Sequence, residues 1–146
     1  MPRPRLIVDT SALFALVAKD DPNHPLAKET LLGFRNAEYI LLDLVWVEAV
    51  TLIKRALGSK LAIEVGKGLL SGPPFVFYSV KGEDFDGAWE LFQRFSDQAW
   101  SFVDCAILHV ARQLGVREVF AFDHHFDQMS GLGIRRVPEA WGRQRR

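Results

Sequence analysis

Only one cysteine, Cys105, occurs in the 146-residue chain, so no disulfide can form within it. A lone thiol suits a reducing compartment. Neither sign of charge is in excess: lysine plus arginine and aspartate plus glutamate number 18 each, for a net charge of zero. No global field therefore draws the chain to nucleic acid or a membrane surface, and any polyanion site has to be local. An uninterrupted apolar run of bilayer length is also missing. The most apolar long stretch, YILLDLVWVEAVTLIKR, carries Asp43 and Glu48 and ends in two cations. The opening MPRPRLIVDT is too short and too soon acidic to read as a secretory signal. Repeats, low-complexity tracts and linkers are absent as well. What remains is ordinary for a globular domain, with 49% hydrophobic and 25% charged residues. The expectation is a soluble, cytoplasmic, single-domain protein spanning 1–146, with a core over about 5–138 and a basic tail over 139–146.

Apolar patterning divides the chain into alternating elements. RLIVD (5–9) reads as a buried strand and TSALFALVA as the helix after it. A second helix is expected over about 23–35, then the strand EYILL (38–42). Asp43 is placed to cap the helix LVWVEAVTLIKRALG, which stops at Gly58, and Ser59 to cap KLAIEVGKGLL. FVFYSV (75–80) is a third strand, followed by a helix over about 82–95 with Phe85, Ala88, Trp89, Leu91 and Phe92 facing inward. A helix ending at Gly115, the strand EVFAF (118–122) and a short strand GIRRV (133–137) complete the chain. Strands alternating with helices predict an α/β fold with a mainly parallel sheet covered on both faces.

Four carboxylates stand in unusual places within that pattern. Asp9 closes the first strand and Asp123 the fourth, where ligands of open parallel sheets bind. Glu48 and Asp104 lie near helix starts on apolar surfaces. Helical spacing surrounds Glu48 with Leu44, Val45, Thr51 and Leu52, and Asp104 with Trp100, Ile107, Leu108 and Ala111. A charge on such a face is costly unless it is paired or coordinated. Local readings exist for three of the four. Asp9 serves as a helix N-cap, Asp104 closes a capping box with Ser101, and Asp123 is a turn residue. Glu48 has no cation three or four residues away. Taken together, the four can meet at one end of a parallel sheet, where they would repel and demand a cation. No lysine or arginine adjoins any of them in sequence. An all-oxygen set suits Mg²⁺ or Mn²⁺ better than zinc, and phosphodiester hydrolysis is the chemistry such a site supports.

IVDTSAL with Asp9 and Ser11, VWVEAV with Glu48, SFVDCAILHVA with Asp104 and FAFDHHF with Asp123 and Phe126 resemble, in order and spacing, the PIN-domain ribonucleases, and among them the VapC-type toxins. The resemblance runs over about residues 5–138. It implies a single PIN-like domain with a mainly parallel sheet of four to five strands and helices on both faces. It also implies an acidic pocket for Mg²⁺ or Mn²⁺ and endonucleolytic hydrolysis of RNA. The implied partners are a cognate antitoxin, whose basic side chain enters the pocket, and a second copy of the chain in a homodimer. Carried over residue by residue, Asp9 and Asp104 are the principal metal ligands. Glu48 contacts the metal or orients its water, and Asp123 completes the set. Ser11 resembles the hydroxyl residue that supports the first aspartate. One departure is visible: Ala121 stands where such proteins usually carry Thr or Ser, which removes a hydroxyl from the site's surroundings.

Two other functional readings compete. A PIN-like module could bind RNA or protein without catalysis. A haloacid-dehalogenase-like phosphatase would also carry a strand-end aspartate, but Ser11 stands where that class needs its second acid. The remaining conspicuous residues have plainer readings. His124 and His125 are expected in a solvated turn, with His124 the one nearer substrate, and Asp127 is a surface or capping residue or else a fifth acid. His109 is expected to be a satisfied structural histidine, and Cys105 an unreactive core thiol. Arg135, Arg136, Arg143, Arg145 and Arg146, with Trp141 among them, form either a frayed solvated tail or an electrostatic arm for RNA phosphates.

Overall fold

Five short strands line up in parallel in the computed structural model, which describes residues 3–139. They are β1 (Arg5–Val8), β2 (Glu38–Leu42), β3 (Phe75–Tyr78), β4 (Glu118–Phe120) and β5 (Arg135–Val137). Between them run α1 (Thr10–Val17), α2 (His24–Gly33), α3 (Asp43–Leu57), α4 (Ser59–Leu69), α5 (Glu83–Arg94) and α6 (Phe102–Leu114). A 3-10 helix, His124–Leu132, links β4 to β5. The single α/β domain and its parallel sheet follow the expectation from sequence, with strands 3, 4 and 5 shorter than their apolar runs.

The strand order is β3-β2-β1-β4-β5. The chain winds outward from β1 through β2 to β3, then returns to β1's other side for β4 and β5. The topological switch therefore falls between β1 and β4, registered as Leu6 to Glu118, Ile7 to Val119 and Val8 to Phe120. In open parallel sheets, ligands bind at such a switch, beyond the carboxyl ends of the two strands.

Successive strand residues point to opposite faces of a sheet. Leu6, Ile7 and Val8 are all fully buried, as are Leu41, Leu42, Val119 and Phe120, so both faces of the central strands are covered. Each such side chain contributes about 1.5–3 kcal/mol of transfer free energy. The edge strand β3 differs, because Val76 and Phe77 are exposed.

Several local expectations are corrected. Asp43 is the first residue of α3 rather than its cap. The chain passes from β2 into the helix without a loop, and Leu42 takes the cap position. The Asp43 carboxylate instead accepts from the Leu44 amide at 2.8 Å and the Val80 amide at 3.1 Å, tying α3 to the segment after β3. Ser59 makes no side-chain cap either. Gly58, at φ 98°, ends α3 and begins α4, so the serine already lies inside the second helix. On α5 only Ala88 and Leu91 are buried, while Phe85, Trp89 and Phe92 remain substantially exposed. Phe85 and Phe92 pack on Phe102 at ring separations of 4.9 and 6.3 Å, outside the main core.

The C-terminal arginines are corrected as well. Arg135 is ion-paired with Glu118 and Glu139, and Arg136 is buried in β5. Trp141, Arg143, Arg145 and Arg146 lie outside the described residues.

Candidate metal centre

Three short turns, after β1, before α6 and after β4, carry Asp9, Asp104 and Asp123. After β1, Asp9 leaves the sheet in an extended conformation and caps α1. Its Oδ2 accepts from the Ser11 amide at 3.1 Å and from Ser11 Oγ at 2.6 Å. Ser11 Oγ in turn accepts from the Phe122 amide at 2.9 Å, joining this turn to the one after β4. The supporting role expected of Ser11 is thus present in the geometry.

Asp104 occupies the third position of α6. Ser101 Oγ accepts from the Asp104 amide at 3.0 Å, and Asp104 Oδ2 accepts from the Ser101 amide at 2.9 Å, completing the capping box. Gly115, in the left-handed region at φ 68°, closes the same helix at its far end. Capping engages only one carboxylate oxygen, so it is compatible with a second role for Asp104.

After β4, Asp123 caps the 3-10 helix, accepting from the His125 amide at 2.9 Å. That tight turn swings the His125 ring inward. Its Nδ1 lies 2.9 Å from Asp104 Oδ2 and 3.3 Å from Asp123 Oδ1. The sequence alone suggests a solvated turn for both histidines, with His124 the one near substrate. His124 is instead 76% exposed at its side chain, with its ring edge against that of His125. One signal was available: a residue two positions after a helix-capping aspartate is held by that cap's geometry.

Ligand atoms of Asp104, Asp123 and His125 all lie within 4.8 Å of one another. Asp9 adjoins them electrically, since both Asp104 and Asp123 raise its pKa. Glu48 stands apart. It is exposed on α3, and its Oε1 accepts from Thr10 Oγ1 at 2.7 Å, which tethers it to the turn carrying Asp9. Asp127, considered as a fifth acid, is turned away and paired with Arg136 at 2.9 Å. His109 is satisfied by Asp84 at 3.1 Å, and Cys105 is buried with its thiol pushed up to about 11 by burial first and by Asp104 second.

Asp9 and Asp104 are each only 5% exposed. Burial holds the Asp9 carboxyl up at about 6, the neighbouring Asp104 and Asp123 adding to the shift and the Ser11 bonds opposing it. Asp104 is raised for the same first reason, while Ser101 and His125 oppose the shift. Among the described residues no lysine or arginine pairs with Asp9, Asp104 or Asp123; His125 and the distant His124 are the basic groups beside them. Asp9 Oδ1 and Asp104 Oδ1 accept no hydrogen bond from any described residue. Buried carboxylates with free oxygens and no lysine or arginine partner among the described residues fit a hard divalent ion such as Mg²⁺ or Mn²⁺.

A family model for the PIN domain matches residues 6–132. The chain belongs to the PIN-domain family. That membership displaces the phosphatase reading. This PIN domain is 29% identical over 130 residues to the 23S rRNA-specific endonuclease VapC20 of Mycobacterium tuberculosis, covering 89% of this chain and 98% of that protein. The crystal structure of Mycobacterium tuberculosis VapC20, described as a Sarcin-Ricin loop cleaving toxin, superposes with a TM-score of 0.78 at 27% identity, covering 84% of this chain and 93% of that one. VapBC2 from Rickettsia felis, bound to a DNA fragment from its promoter, superposes at 0.66 with 12% identity, covering 90% and 98%. At that identity the likeness is one of fold. No helix among the described residues is long and apolar enough to cross a membrane.

Proposed function

We propose that this PIN domain is a Mg²⁺- or Mn²⁺-dependent endoribonuclease that hydrolyses RNA phosphodiester bonds and serves as the toxin of a toxin–antitoxin pair. The observation that carries the reading is the pair of buried carboxylates, Asp9 and Asp104, raised in pKa at the sheet's switch point without a lysine or arginine partner among the described residues. Such an arrangement is costly to the fold, and binding a divalent ion offsets that cost.

Asp9 and Asp104 would hold the ion through their free oxygens, with Asp123 completing the set and Glu48 reaching it from the Thr10 tether. When bound, the ion offsets charge on the phosphodiester and lowers the pKa of water to supply the nucleophile. The chain's own residues set the geometry. Ser11 fixes the Asp9 carboxylate from one side, and Ser101 and His125 fix Asp104 from the other. An ionised Asp104 only accepts, so the proton at this contact sits on His125 Nδ1. That imidazole also faces Asp123 and limits the repulsion between the two acids.

An antitoxin that inserts a basic side chain among these carboxylates would inhibit the enzyme by replacing the cation. Homodimerisation and residence in the cytoplasm belong to the same reading. The name of the Mycobacterium tuberculosis relative makes ribosomal RNA the first substrate to try. The purified chain is incubated with ribosomal RNA in Mg²⁺, in Mn²⁺ and in chelator, and the new ends are sequenced. Cleavage at defined positions in metal alone is the expected result. Intact RNA with either ion, together with no metal-induced rise in melting temperature, would leave the binding-module reading in its place.

A further inference from the structure

Sequence puts Arg136 in a solvated tail or an electrostatic arm, yet its side chain is fully buried. An ionised guanidinium in that position is costly unless its donors are matched. Nε donates to Asp127 Oδ1 at 2.9 Å, and Nη1 donates to the Ala121 carbonyl at 3.1 Å. Nη2 finds no acceptor among the described residues. The two bonds straddle the segment 121–127, which holds Asp123 and His125.

Ala121 and Phe122 share one peptide unit. Its carbonyl accepts from Arg136, and its N–H donates to Ser11 Oγ, which donates to Asp9 Oδ2. Hydrogen bonds in series polarise and orient one another. The other arm of the guanidinium holds Asp127 on the first turns of the 3-10 helix, whose cap is Asp123 and whose His125 bonds Asp104. The amide of the preceding peptide unit, at Ala121, donates to the Val137 carbonyl at 3.0 Å, so β5 holds two successive peptide units of this segment.

We propose that Arg136 is a positioning residue for the metal centre, a planar clamp that sets Asp9 through the 121–122 peptide and Ser11, and sets Asp123 and His125 through Asp127. This inference rests on the metal-site reading above. A lysine cannot replace it, since a point charge does not reproduce the two-pronged geometry.

The test is divalent-ion affinity, read by titrating the intact protein with Mn²⁺ and detecting the free ion by EPR. Wild type is compared with Arg136→Lys and with the charge-balanced pair Arg136→Met with Asp127→Asn, each checked for folding by circular dichroism. Loss of a partner outside the ligand set typically weakens metal binding about 10–100-fold, and both folded variants are expected to show a weakening of about that size. Arg136→Lys is expected to retain more thermal stability than affinity, which separates positioning from simple support. A second readout needs no variant: in wild type the Phe122 amide and the Arg136 Nε–H NMR signals shift when Mg²⁺ is added. Wild-type Mn²⁺ affinity in either folded variant, or unmoved signals in wild type that binds Mg²⁺, overturns the clamp alone. No Mn²⁺ binding by wild type overturns the metal reading and the clamp with it.

Discussion

Replacing Asp9 by Asn should stabilise the metal-free protein at neutral pH, and the gain should disappear in acid. The folded-state pKa of Asp9 is raised from 3.8 to about 6, by burial first and by Asp104 and Asp123 after it. The folded protein therefore holds this proton more tightly than the unfolded chain does. Stability falls as pH rises through that window, and the full penalty is present above the folded-state pKa. Two units at about 1.36 kcal/mol each give a ceiling of about 3 kcal/mol, of which about 2 kcal/mol develops between about pH 4.5 and about pH 7.5. Asn removes the charge and keeps an oxygen for the Ser11 amide and hydroxyl, since Asn caps helices as well as Asp does.

The new amide N–H groups lack a described acceptor and take back about 1 kcal/mol, but that loss does not vary with pH. The diagnostic quantity is therefore the slope of the stability difference, not its size at one pH. Urea unfolding of both proteins in chelator, across that pH range, measures it. The Asn variant should gain on wild type steadily as pH rises, by about 2 kcal/mol in all. With saturating Mg²⁺ wild type should recover and the variant should not. A difference that stays flat with pH, or shrinks toward neutrality, would refute the account of Asp9 as a buried, uncompensated acid.

Asp104→Asn keeps an oxygen for the capping box and should fold normally, while RNA cleavage falls by more than the about 10–100-fold that an outer partner costs; a gel assay beside a melting curve decides it. Gly87→Ala should destabilise by about 1–3 kcal/mol, because its Cβ would clash with the His109 ring that pairs with Asp84. Gly68→Ala, in open space on α4, should instead stabilise by about 0.5–1 kcal/mol. Cys105 should resist a thiol-specific reagent in the native protein and react at once in denaturant, since burial excludes the reagent and holds the thiol up at about 11.

Which of these features could be read from residues alone follows from the range of the interactions involved. Buried parallel strands announce themselves as short apolar runs, so β2 matched its expected span and β1 came within one residue of it, and the strand-end rule marked Asp9 and Asp123 as candidates. Asp104 was legible because a carboxylate among Ile107, Leu108 and Ala111 has no local reason to be there beyond its cap. The caps at Asp43 and Ser59 failed because each depends on a connection of zero or one residue, where backbone angles rather than side-chain type decide who occupies the cap. His125 was invisible because its orientation is set by a tight 3-10 turn and not by a periodic pattern.

Arg136 is the most instructive case, since a signal was present. Alternation in the strand GIRRV puts Arg136 on the same face as Ile134, which is buried, and Arg135 on the other. Charge counting grouped the two arginines with the tail, although strand geometry separates them. A buried arginine within a strand is expensive enough that its partners are informative. Here the partners are a carbonyl and a carboxylate on either side of Asp123 and His125. The candidate site's acids are thus placed by strand ends and helix starts, which sequence shows. Their relative setting depends on bonds across 111 residues, from Phe122 to Ser11, and across 15, from Arg136 to Ala121. Only the folded sheet brings those pairs together.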